Sequence, residues 1–151
     1  MSLEQDRERV LADISKYGCH AIHVQADGAL PAYTYSVGIS RTSDAPDVVV
    51  FVLQHAPGHR LVHAYNLRIR RGERFTAGQM ASGFLAGQDI ALRPVHAAQG
   101  AAYFEWNRWL HDGRDFPMLQ LVYPSIEGIW PWDAMASAWL RQNQPLLSDP
   151  A

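Results

Sequence analysis

With 151 residues, 48% of them hydrophobic and 19% charged, the chain has the size and composition of one globular domain able to bury a core. Its formal net charge of -2 lacks the basic field that non-specific nucleic-acid binding requires, so no nucleic-acid partner is expected. No stretch reaches the roughly 18 consecutive apolar residues of a membrane span, and the single cysteine, Cys19, excludes an internal disulfide.

The opening segment is charged and lacks the apolar core of a signal peptide, so a cytoplasmic protein is expected. Ser2 and Gln5 form a capping box, Leu3, Val10, Leu11, Ile14 and Tyr17 recur at helical spacing, and Gly18 supplies a C-cap. This predicts a helix from Leu3 to about Tyr17. Cys19 to Ala26 reads as a strand, and Asp27-Gly28 turns it into an antiparallel hairpin with a second strand, Tyr33–Ile39. Around that second strand, Ala32, Thr34, Ser36 and Gly38 make a small face and Tyr33, Tyr35, Val37 and Ile39 a bulky one. After a polar loop over 41–46, the β-branched run from Val48 to Leu53 reads as a strand covered on both faces.

Pro57 opens a second helix that runs to about Arg71, with Leu61, Val62, Tyr65 and Ile69 as its core stripe. Arg68, Arg70 and Arg71 crowd its last turn, where cations suit the helix dipole; an anion site is the alternative. Glycine-rich sequence around Gln79–Leu85 suggests a weak short helix. Ile90 to Val95 alternates as a strand, placed near an edge by Pro94. Ala98 to about His111 reads as a helix with Trp106 and Trp109 in the core, Phe116–Tyr123 as the last strand, and Asp133 as the N-cap of a helix to about Leu140. The expected fold is α+β, a mixed, largely antiparallel sheet with helices packed on it, in a single domain over residues 1–144 with a frayed tail over 145–151.

No residue pattern specifies a reaction. His59 and His63 stand one helical turn apart and are weak metal candidates, but they lack a third ligand, a His-Glu-x-x-His pattern or a Cys pair. Cys19 would lie on the strand face opposite His20 and roughly 13 Å from His23, which favours a buried, inert thiol. Ser36 lacks a nucleophile elbow, and the glycines at 78, 83 and 87 match no nucleotide fingerprint. No cofactor is therefore expected.

The segments Pro31–Ile39, Ala45–Phe51, Arg71–Phe75, Leu92–Val95 and Phe116–Pro124, with Gly128 and Trp130-Pro-Trp-Asp133, occur in an ordered set. In this set the chain resembles the bacterial domain-of-unknown-function 4262 family. Pro46-Asp47 stands where the family is expected to carry Pro-Glu, and Ser125 where it carries an acidic residue. The resemblance implies a bacterial, cytosolic, stand-alone small domain and brings no reaction, ligand or catalytic residue with it.

Two function classes follow. The first is a non-catalytic protein-interaction or binding module that meets a protein partner, or a second copy of itself, through Trp130 and Trp132 at an exposed seam. The alternative is a small-molecule-binding protein or enzyme with a pocket beside the Tyr33–Ile39 strand. Its polar groups would be Tyr33, Tyr35, Ser36, His23, Arg93 and Gln120. Enzyme or not stays open at this point.

Overall fold

A computed structural model describes residues 2–28, 30–52 and 54–148. Helix α1, Leu3–Tyr17, starts on the capping box read from the sequence: Ser2 Oγ accepts from the Gln5 amide at 3.2 Å and Gln5 Oε1 from the Ser2 amide at 3.0 Å. Gly18, at φ 94°, ends it. Strands β1, His20–Val24, and β2, Tyr33–Val37, form the expected antiparallel hairpin. Gly38 then enters the left-handed region and breaks the strand, so residues 39–43 form a short helix, α2 (Ile39–Ser43), where extended chain and loop were expected.

Strand β3, Asp47–Val50, is followed by α3, His55–Arg70. Leu53 lies outside the described residues. The predicted helix at Gln79–Leu85 is instead a strand, β4 (Met80–Leu85), hairpinned to β5 (Gln88–Pro94). Its register shifts between Ala81 and Leu85, where Gly83 takes φ 88°; the glycine marks a strand irregularity, not a weak helix. The helix expected over 98–111 is broken into a 3-10 turn (Ala97–Gln99), α4 (Gly100–Tyr103) and α5 (Glu105–Leu110). Phe104, fully buried and non-helical, sits at the break, so packing overrides helical continuity. Strand β6, Met118–Val122, is followed by α6, Ala138–Asn143, capped by Ser137; Asp133 closes a turn on the Trp130 amide at 2.8 Å instead.

The strand order is β1-β2-β3-β6-β5-β4, with every neighbouring pair antiparallel except the central β3–β6 pair. This is the expected α+β, mixed and mostly antiparallel sheet. Pro94 is the last residue of β5, so a strand one place in from the edge accommodates it.

Both faces of the sheet are covered. On one, Leu61, Val62, Tyr65 and Ile69 of α3 pack on Val48, Val50, Leu92, Leu119 and Leu121. The small face of β2 is what seats this helix. A Cβ on Gly58 of α3 would overlap Thr34 Oγ1 and lie 2.7 Å from Val52 Cγ2. On the other face Val10 and Ile14 of α1, Phe104 and Leu110 pack against Tyr33, Tyr35, Val37 and Val49. Trp106 and Trp109 are only half-buried there, stacked edge-to-face at 5.4 Å, and are not core residues. Leu147 joins this face, 1% exposed. The Gln120 side chain holds it there, donating to the Pro145 carbonyl at 2.8 Å and accepting from the Leu147 amide at 2.9 Å. The tail predicted to fray from residue 145 is thus packed through Leu147, while residues 149–151 lie outside the described residues.

Candidate functional site: a cleft beside the first strand

β1 is an outer strand, and all five of its residues are half-buried. Each of its faces therefore borders a depression. On the α3 side, the last turn of α1, the start of β1 and the middle of α3 enclose a cleft of about 300 Å³. Tyr17, Ala21 and Val62 supply apolar wall, and Asp13, Cys19, His20, His59, His63 and Asn66 supply chemistry.

Asp13 Oδ2 lies 2.7 Å from His20 Nδ1. A carboxylate partner makes Nδ1 the donor and leaves Nε2 as the acceptor of the neutral ring. Cys19 lies just before β1, so the alternation that would have separated it from His20 does not apply, and both line the cleft. Its thiol is no nucleophile. Burial pushes it up to about 12, with Asp47 adding to the rise and Arg70 opposing it.

Asn66 is 2% exposed. Its Nδ2 donates to the Tyr17 carbonyl at 2.9 Å, which fixes the orientation of the amide. Oδ1 is left buried and without a hydrogen-bond partner. Neither this acceptor nor the Asp13–His20 pair was found from sequence. The available signal was an amide on a buried stripe, since Asn66 follows Val62 by one helical turn.

The histidines are better ordered than the sequence suggests. α3 begins at His55, two residues before Pro57, so His55, His59 and His63 all stand one turn apart on it. His55 and His59 stack at 5.4 Å, and His23 of β1 meets His55 edge-on at 5.6 Å. Burial, then His55, holds His23 below its ordinary value of 6.5. Burial, then His55, His63 and His20, does the same to His59. Among the described residues, no group of three or more His, Cys, Asp or Glu is arranged to hold a metal ion. His59 and His63 both line the cleft.

On the other face of β1, a cavity of about 430 Å³ is lined by Tyr33, Tyr35, Tyr103 and Trp106, with charged Glu105 and Arg108. Of the six polar residues grouped from sequence, Tyr33 and Tyr35 share this space, and Tyr33 donates to the Tyr103 carbonyl at 2.8 Å. The other four lie elsewhere. His23 contacts Thr34 Oγ1 at 2.8 Å on the α3 side. Ser36 is buried against Asp47, and Gln120 is buried under the C-terminal segment. The Arg93 guanidinium lies 4.7 Å from the Trp132 ring centre. Trp132 in turn stacks on Trp130 at 5.0 Å and is 40% exposed. The arginine cluster of α3 is also partly spent: Arg68 pairs with both Glu73 oxygens at 2.9 Å, with its guanidinium over the Phe75 and Phe84 rings.

A family model, described as Domain of unknown function (DUF4262), matches residues 13–137. The chain belongs to the DUF4262 family. The matched segment of this DUF4262 domain begins at Asp13 and contains the whole cleft. No curated protein and no solved structure matches the chain. Among the described residues, no helix is long and apolar enough to cross a membrane.

Proposed function

We propose that this domain binds a small molecule in the cleft between α1, β1 and α3. The observation that carries the reading is Asn66 Oδ1, a buried acceptor with no partner in a cleft that also holds the Asp13–His20 pair. Leaving such a group unpaired costs about 1–3 kcal/mol, which a ligand N–H or O–H would offset. The cleft volume is at the small end of ligand sites. The matching ligand is therefore small, presents hydrogen-bond donors to Asn66 Oδ1 and His20 Nε2, and rests an apolar body on Tyr17, Ala21 and Val62. A carboxylate-held imidazole is also a general base in form, so a substrate fits the reading as well as a ligand does. A bacterial, cytoplasmic setting belongs to the same proposal and rests on the family resemblance.

The test is a fragment screen by ligand-observed NMR on untagged protein, run in parallel on Ala21→Leu, which fills the cleft from its half-exposed wall. Neutral amides should bind the wild type and lose binding in Ala21→Leu. Hits that survive the substitution would place the site elsewhere and overturn the proposal.

One observation favours the interaction reading as a second possibility. Ile126, Trp132, Met135 and Trp139 are 96%, 40%, 80% and 61% exposed, all between β6 and the second residue of α6. Trp130→Ala with Trp132→Ala should then leave the fold intact and abolish partner capture; unfolding of the double variant would remove this support.

A further inference from the structure

We infer that protons and ligand compete for this cleft, because His20, the imidazole that accepts from the ligand, shares the cleft with His59 and His63 of a histidine row in which only His20 is bonded to a carboxylate among the described residues. The inference rests on the binding reading above and adds its regulation. Five of the seven histidines take part. The row runs from His23 to His55 to His59 through ring contacts of 5.6 and 5.4 Å, and continues to His63 one turn on and to His20 across the cleft.

The groups facing this row come from four elements. α1 supplies Asp13, bonded to His20, and Lys16, whose ammonium lies over the Tyr17 ring at 5.2 Å. Before β1 comes Cys19, a neutral thiol, and β1 itself adds His20 and His23. β2 supplies the uncharged Thr34 hydroxyl. α3 adds Arg70, whose Nη1 would lie 2.8 Å from a Cβ at Gly18. Among the described residues, Asp13 is the carboxylate bonded to this row, through His20 alone. Asp47 acts on the neighbouring Cys19, and Lys16, Arg70 and the Arg60 of α3 are cations on the same elements.

Two consequences follow from protonation. Each proton turns an imidazole acceptor into a donor, so His20 Nε2 can no longer receive the ligand's N–H or O–H. Successive protons also place like charges one turn apart along α3, which opposes further charging. Burial and the neighbouring imidazoles lower His23 and His59, which agrees with these two rings resisting a charge. Ligand binding therefore strengthens as pH rises and weakens as the row charges.

Benzamide is a suitable probe, since it donates N–H, carries a flat apolar ring and stays uncharged between pH 5 and 8. Its affinity is to be titrated by protein-observed NMR at pH 7.5, 6.5, 5.5 and 5.0. One excluded proton costs about tenfold in apparent affinity for each pH unit below its midpoint. We expect a loss of about tenfold or more across the series, with a shallower pH slope in His59→Gln. Binding that maps to the cleft but is flat with pH would overturn this inference alone. No benzamide binding at pH 7.5 would overturn the binding reading and this inference with it.

Discussion

Asp47 Oδ1 accepts a 2.7 Å hydrogen bond from the Ser36 hydroxyl, and both residues are completely shielded from solvent. The same oxygen accepts from the Ile39 amide at 3.0 Å, while the Ser36 hydroxyl accepts from the Val48 amide at 2.9 Å. The pair thereby ties β2, the start of α2 and β3 together. Ser36 is a structural hydroxyl here, not a nucleophile.

Burial raises the Asp47 carboxyl from 3.8 to about 6, against the opposing pull of the Ile39 amide, the Ser36 hydroxyl and the Ser40 and Gly38 amides. A raised folded value means that the group's contribution is fully present below about pH 4 and is lost as pH rises through about 6. The difference amounts to about 3 kcal/mol. Asp47→Asn should remove this pH dependence. In urea unfolding, its stability relative to wild type should shift in favour of the variant between pH 4 and pH 7. A variant difference that stays constant across that range would contradict the assignment.

Gly58 lets α3 approach β2 closely, with Thr34 and Val52 in the space a side chain would need. Gly58→Ala gains about 1 kcal/mol of helix propensity but overpacks the seam, at a typical cost of about 1–3 kcal/mol. Net destabilisation is expected in urea denaturation. A more stable variant would mean that the helix sits further from the sheet.

The small-residue face of β2 was legible in the sequence, as were α1 with its capping box, the β1–β2 hairpin and the buried β3. These rest on local periodicity and capping chemistry. What occupies the small face was not legible: Thr34 and Ser36 invite a ligand as readily as a helix until Gly58 is placed against them. The glycine pattern at 83 misled for a related reason, because a bulged strand and a poor helix share it. The cleft joins Asp13, His20 and Asn66, of which Asn66 lies 46 positions beyond His20 in the chain. No spacing rule reports a contact that only the packing of α1 and α3 beside β1 creates.

Cys19 should be unreactive in the folded protein. Its thiol titrates at about 12 against an ordinary 9.0, so at pH 8 the thiolate population is lowered by about a thousandfold. A disulfide reagent should modify it slowly in the native state, with prompt reaction in urea, where burial no longer raises the thiol. Rapid native labelling would show that the thiol is not raised in this way.

Gln120 is the residue that closes the second face, through its bonds to Pro145 and Leu147. Gln120→Leu should cost about 1–3 kcal/mol by leaving a buried amide and carbonyl unpaired. It should also expose residues 144–148 to limited proteolysis ahead of global unfolding. Equal cleavage of variant and wild type would show that the segment is held by Leu147 burial alone.

The most direct measurement of the central claim is a ¹H–¹⁵N NMR titration of the labelled protein with benzamide at pH 7.5. The account predicts the largest shifts at the Asn66 side-chain amide and at the Cys19, Ala21 and Val62 backbone, all lost in Ala21→Leu. Shifts centred on Tyr103 and Trp106, or on Trp139, with Asn66 unmoved, would contradict it.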